Sequence, residues 1–200
     1  MADVTDARTD GAGVMEAGGG ALRLPRTIRM DGSDLQVFGR AAEPGEWAVS
    51  GAFAFLNRDP ATVAGKERQA FANGFLGIAS LGWSSFVVVS EATEAEREEV
   101  VRTLAQAFLD HWGAPSFEAA EPVAREEVAF AQSLCAKHPV NTLLAVTREW
   151  DGDGIKEGFR TVRAPREAEH ARIWTIEPED GFRSAEAQGI DLVKLAGGRT

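Results

Sequence analysis

The chain has no tyrosine and a single cysteine, Cys135. One thiol cannot close an intrachain disulfide, so the fold must hold by packing and hydrogen bonding. Histidine occurs three times, at His111, His138 and His170, and only His138 lies near the cysteine in sequence. Two ligands fall short of the roughly four that a structural zinc needs. Basic residues are the minority: Lys plus Arg is 21 against 31 for Asp plus Glu, a formal net charge of −10. Binding a phosphate polyanion needs clustered Lys and Arg whose contacts release counterions. Neither nucleic acid nor an anionic membrane surface is therefore an expected partner. The apolar runs stop far short of the ~20 residues that span a bilayer. No charged segment followed by an apolar run and a cleavage pattern opens the chain. No secretory signal is expected, and the cytoplasm is the expected compartment.

What is present is an ordinary globular composition, 44% hydrophobic and 26% charged over 200 residues, enough for one sizeable core. Residues 1–21 hold Gly11, Gly13, Gly18, Gly19 and Gly20 and few large apolar side chains. Such a segment buries too little surface to offset its ordering entropy, so a flexible N-terminal tail is expected there. Residues 22–165 are expected to form one domain, and 166–200 a C-terminal extension.

Short strands are expected at residues 26–30 and 35–38, divided by Asp31-Gly32-Ser33. Glu43-Pro44-Gly45 reads as a turn with proline at its first central position. The alternation of Trp47, Val49, Gly51, Phe53 and Phe55 predicts a strand over 47–56, so the first three strands would make an antiparallel meander. Asp59-Pro60 is a helix-start signal, residues 66–73 read as helix, and Gly74 as its stop. Residues 75–83 form an apolar, glycine-punctuated link, and 85–89, apolar on both faces, a central strand. The strongest helix signal covers 94–112. Thr93 and Glu96 have capping-box spacing, and Val101, Leu104, Ala105, Phe108 and Trp112 recur at helical spacing. A second helix is expected over 122–137, with Val128, Ala131, Leu134 and Cys135 inward. Residues 142–150 and 155–163 read as a hairpin across Asp151-Gly152-Asp153-Gly154. The order βββ-α-β-αα-ββ, in runs rather than alternation, predicts an α+β fold with a mostly antiparallel sheet and helices packed on one face. Residues 172–176 read as one more strand and 190–195 as a short apolar anchor.

Several stretches then stand out together: Ala41-Ala42-Glu43-Pro44-Gly45-Glu46-Trp47-Ala48-Val49-Ser50-Gly51, Gly74-Phe75-Leu76-Gly77, Gly82-Trp83-Ser84 and Glu126-Glu127-Val128-Ala129-Phe130-Ala131. They resemble the signature of a small uncharacterised alphaproteobacterial family, a domain of unknown function, over residues 24–164. That family has no assigned catalytic residues, so the resemblance carries none over. It implies companionship with molybdenum-enzyme maturation proteins and with a ligase-like protein similar to biotin/lipoate ligases, which is a pointer to partners rather than to chemistry.

Read for chemistry, the residues offer bland explanations first. Cys135 falls on the inner face of its helix, where a thiol packs as a small hydrophobe. His111 sits in a last helical turn, where the dipole favours a cation. Gly65-Lys66 lacks the glycine and the Ser or Thr of a phosphate loop. The glycines at 74, 77 and 82 suit a cap, tight turns or close backbone approach; a binding loop is the sharper alternative. Glu98-Glu99 and Glu126-Glu127 are adjacent on helices, where neighbours do not share a face, and read as solvated rather than as acid/base pairs. Asp151-Gly152-Asp153-Gly154 opens like a calcium loop, but the closing glutamate of the twelve-residue frame is replaced by Val162.

No nucleophile–base pair, metal set or phosphate loop emerges, so no catalytic, cofactor-binding or metal residue is assigned and no cofactor is expected. The leading expectation is a non-catalytic accessory or interaction protein that supports metalloenzyme maturation or assembly. Its partner would be another protein chain, either a second copy or a metalloenzyme-related protein. The alternative is an enzyme or small-ligand-binding protein with a pocket near residues 75–83. Trp47, Trp112 and Trp150 have core-like spacing. Trp83 and Trp174 are candidates for partner contact because indole combines a large apolar body with one polar handle. Leu192, Val193 and Leu195 join them at the C-terminal end, with Ile173 there and Val14 and Met15 at the N-terminal one.

Overall fold

The capping box at Thr93 opens a helix as its spacing requires. The Thr93 hydroxyl accepts from the Glu96 backbone N–H, and the Glu96 carboxylate accepts from Thr93 N at 2.8 Å. The helix runs Glu94–Trp112 and ends on Gly113 in the left-handed region, φ 72°. A computed structural model of the protein describes residues 21–152, 154–163 and 175–178. In chain order it holds β1 (Arg23–Ile28), α1 (Ser33–Val37), β2 (Ala48–Val49), a 3-10 turn (Ala52–Phe55), α2 (Gly65–Asn73), β3 (Phe75–Gly77), β4 (Trp83–Ser84) and β5 (Phe86–Glu91). After these come α3 (Glu94–Trp112), α4 (Phe117–Ala136), β6 (Leu143–Asp151), β7 (Gly154–Arg163) and β8 (Thr175–Pro178).

These elements make an α+β fold with two antiparallel sheets. One has the order β1-β5-β6-β7-β8, the other β2-β3-β4. The hairpin expected from residues 142–150 and 155–163 forms, with a register from Leu143 opposite Val162 to Asp151 opposite Gly154. Alternate residues of β6 point the same way, and Leu144, Val146, Arg148 and Trp150 mark one face. Leu144 and Val146 pack in a cluster with Cys135 of α4, while Trp150 stacks on Phe71 of α2 at 3.5 Å between ring centroids. α2 and α4 therefore cover the same side of β6. The small sheet is buried in the interior. Val49 and Leu76 face the α3–α4 cluster that holds Val101, Leu104, Phe108, Ala124 and Val128, whereas Ala48 and Phe75 face the cluster of Val87, Val89, Leu144 and Val146.

Five expectations are corrected. Residues 35–38 are not a strand, because 33–37 form the short helix α1. Asp31 accepts from Ser33 N, and the buried Asp34 carboxylate accepts from Ser85 N and from the Ser84 and Ser85 hydroxyls. The strand over 47–56 stops after Val49. Gly51 adopts φ 83°, and the 3-10 turn sends Phe53 to Phe108 and Trp112 but Phe55 to Phe71 and Trp83. No meander forms: β1 pairs with β5, and β2 pairs with β3. The 75–83 link supplies the two strands β3 and β4. α4 starts five residues before Pro122, at an N-cap Ser116 whose hydroxyl accepts from Ala119 N. β8 pairs antiparallel with β7, with Ile176 opposite Val162. The expected strand at 172–176 overlaps it, and residues 172–174 lie outside the described residues, as do 190–195. No helix among the described residues is long and apolar enough to cross a membrane.

Candidate functional site

Trp83 heads β4 and is partly open to solvent. Its indole lies against two glycines. A Cβ on Gly51 would stand 2.9 Å from the ring, and one on Gly74 would stand 2.8 Å away. Only glycine lets the two backbones come this close, and at Gly51 the positive φ asks for glycine as well. Phe55 packs against the same indole, tilted by 37° at 5.2 Å between centroids. In front of the ring lies a cleft of about 310 Å³ with apolar walls from Phe55, Leu76, Leu81, Trp83 and Trp112. Arg40, Arg58, Lys66 and Glu67 stand at its edge. Arg58 pairs with Glu67 at 3.4 Å, and Arg40 donates to the Ser80 carbonyl at 3.1 Å. A second, shallower hollow of about 390 Å³ runs along α3, from Leu81 to Asp110 and His111.

The loop that carries Leu81 is tied down by one carboxylate. Glu46 accepts from Ala79 N and Ser80 N, each at 2.8 Å, from the Ser80 hydroxyl, and from Glu43 N at 2.7 Å. It fills the space a Cβ on Gly77 would need, and Gly82 lies against the Ala41 backbone. The glycines of this segment thus serve close approach. Gly74 is indeed the residue after α2, although its φ of −102° is not left-handed.

Behind Trp83 the wall is fixed by a buried guanidinium. Arg148 has no exposed side-chain surface. It donates to the Phe71 carbonyl at 2.9 Å, to the Gly74 carbonyl at 2.7 Å, to the Ser50 carbonyl and to Glu157 at 2.6 Å. The Ser50 hydroxyl donates to the same Glu157 oxygen. Burial depresses the Arg148 pKa, and Glu157 opposes that shift. Glu127 of α4 completes the group. Its carboxyl is pushed up to about 7 by burial and by Glu157, with Arg148 pulling the other way and Glu126 adding a little. The expectation of two solvated neighbours at 126 and 127 is corrected: Glu126 is exposed, while Glu127 is half-buried. Glu98, by contrast, is a surface ion-pair partner of Arg125 and Arg97.

Of the residues expected to meet a partner, Trp83 lines the cleft; Trp174, Leu192, Val193 and Leu195 lie outside the described residues. Cys135 is fully buried, and burial pushes its thiol up to about 12. His111 is exposed at the end of α3. Among the described residues no three His, Cys, Asp or Glu side chains stand together in a way that could hold a metal ion. Sequence reasoning missed Arg148, Glu157 and Glu127. The signal was there in β6: an arginine at an inward position of the alternation Leu144, Val146, Arg148, Trp150.

A family model described as a family of unknown function (DUF6505) matches residues 22–176, and the chain belongs to that family. No curated protein and no solved structure matches the chain.

Proposed function

We propose that this family member is a non-catalytic accessory protein of the cytoplasm, that it works by binding, and that the Trp83 cleft is its binding site. One observation carries the reading. A partly exposed indole sits on two glycines whose backbone is held from behind by a fully buried arginine. Surfaces fixed in advance lose little conformational entropy on binding, and tryptophan and arginine are the side chains that most often dominate contact energy. Under this reading the protein acts on another protein chain, a second copy or a protein of metalloenzyme assembly, the class toward which the sequence resemblance points. The test is to purify the tagged chain from its source organism as wild type and as the Arg40→Glu/Lys66→Glu variant, and to identify co-purifying proteins by mass spectrometry. Both positions are exposed, and the variant is expected to keep the wild-type circular dichroism spectrum. A defined set held by the wild type and lost by the variant supports the reading. The same set held equally by both removes the cleft from it.

A second reading, a small-ligand-binding protein or enzyme, is favoured by the dimensions of the cleft. About 310 Å³ lies at the small end of the roughly 300–1,000 Å³ of ligand pockets. Native mass spectrometry of the protein from its source is decisive here: a small molecule bound at one per chain supports this reading.

A further inference from the structure

We infer that the Trp83 cleft takes a small organic anion, a flat apolar body carrying one carboxylate or phosphate group. The inference rests on the second reading of this cleft, as a small-ligand site, and names the class of ligand. The walls supply the apolar half of the recognition: Phe55, Leu76, Trp83 and Trp112 converge on a space of about 310 Å³. Aromatic faces of this kind favour offset or edge-on contact with a flat ring. The space is too small for a folded chain or a polyanion.

The charge at the edge supplies the other half. Acids outnumber bases 31 to 21 over the whole chain, yet the cleft edge carries Arg40, Arg58 and Lys66 against the single acid Glu67. Glu67 is taken by Arg58 at 3.4 Å. A ligand entering the cleft therefore meets the positive ends of Arg40 and Lys66 with no carboxylate to compete. Arg40 keeps donors to spare, since its contact with the Ser80 carbonyl uses one N–H of five. Low-dielectric aromatic walls on one side concentrate the field of these charges toward the opening. A cationic ligand is repelled by the same arrangement, and a neutral one gains only the walls.

The experiment is a titration of the isotope-labelled full chain, followed by amide and indole N–H chemical shifts. The probes share one ring and differ in charge: indole-3-acetate, indole and tryptamine. Phenyl phosphate and inorganic phosphate separate the two anionic groups and the contribution of the ring. The expected result is saturable shifts at Trp83, Leu81, Arg40 and Lys66 with indole-3-acetate or phenyl phosphate, weaker ones with indole, and none with tryptamine. The Arg40→Gln/Lys66→Gln variant should weaken anion binding by about tenfold, the scale two partly solvated ion pairs support. Raising salt should weaken it as well. Equal shifts from all three indoles, or a variant that binds the anion as well as wild type, overturns the anion class and leaves the cleft standing as a binding site. If no probe moves the cleft resonances the inference is overturned too, and native mass spectrometry of the protein from its source then decides the small-ligand reading independently.

Discussion

Replacing Arg148 with methionine removes a charge around which the interior is arranged. The wild-type guanidinium has no exposed surface, and the Glu157 side chain facing it is 16% exposed. Arg148→Met leaves that carboxylate without its partner and leaves the Phe71, Gly74 and Ser50 carbonyls without their donor. Breaking a buried ion pair from one side costs about 3–5 kcal/mol, and a carbonyl left dry adds ~1–3 kcal/mol unless water reaches it. A net loss of ~4 kcal/mol is expected, a large part of the roughly 5–15 kcal/mol that holds a domain of this kind together. Urea denaturation followed by circular dichroism and tryptophan fluorescence measures it. The double variant Arg148→Met/Glu157→Gln should recover about 1–2 kcal/mol, since no charge is then stranded. A single-variant loss under ~1 kcal/mol would refute the reasoning, as would a double variant no more stable than the single one.

Leu104→Ala, at a fully buried position of α3, should cost about 2–5 kcal/mol in the same assay by opening a cavity. Cys135→Ser should leave binding intact while destabilising by ~1–3 kcal/mol, because its cluster of Val87, Val89, Leu144 and Val146 offers a hydroxyl little company; a variant that folds normally yet loses binding would restore a role for the thiol. Glu127 is raised to about 7 from an unfolded value near 4.5, so the folded state holds the extra proton between those limits. Its contribution to stability is full below about pH 4.5 and is lost as pH rises through about 7. Glu127→Gln should match wild type in urea midpoint at pH 4.5 and exceed it at pH 8; a constant difference across that range counts against the assignment. Gly51→Ala, at φ 83° and pressed against Leu76 and Trp83, should destabilise by ~2–4 kcal/mol from backbone strain and overpacking, with Trp83 fluorescence shifted in the folded protein.

The parts of the fold legible in the sequence are those set by local signals. Thr93 and Glu96 announced α3 at its first residue, and the Gly113 stop closed it. The Asp151-Gly152-Asp153-Gly154 turn between residues 142–150 and 155–163 pointed to the hairpin, and Gly152 takes the left-handed conformation there. What stayed hidden depends on partners distant in sequence. Residues 33–37 coil into a turn of helix because the Asp34 carboxylate has Ser84 and Ser85 to receive it. The alternation of Trp47, Val49, Phe53 and Phe55 mimics a strand, but Gly51 reverses the chain to make room for Trp83, more than thirty residues on. The cleft was legible as a place, the 75–83 segment, but its cations were not. Arg40, Arg58 and Lys66 come from three separate elements and connections, and nothing in their own neighbourhoods says that they meet.

The buried polar group is better explained by backbone than by chemistry. A helix leaves its last four carbonyls without intrahelical donors, and α2 ends inside the molecule. Ala70 finds a donor in Gly74 N, but Phe71 does not have a helical one, and Gly74 and Ser50 each present a carbonyl just before β3 begins or just after β2 ends. Buried carbonyls need partners. One guanidinium has five N–H groups fanned in a plane, and from position 148 it reaches all three carbonyls. A buried guanidinium in turn needs a carboxylate, and the cross-strand register sets Glu157 opposite Arg148. Glu157 then accepts from the Ser50 hydroxyl, whose own residue precedes Gly51 under the Trp83 ring. Each step follows from the need created by the one before it, and none requires a substrate. Trp83 therefore depends on Arg148 for its position without Arg148 ever lining the cleft, so a substitution at 148 and one at 40 or 66 should part company: the first lowers stability, the second leaves stability alone and changes what the cleft holds.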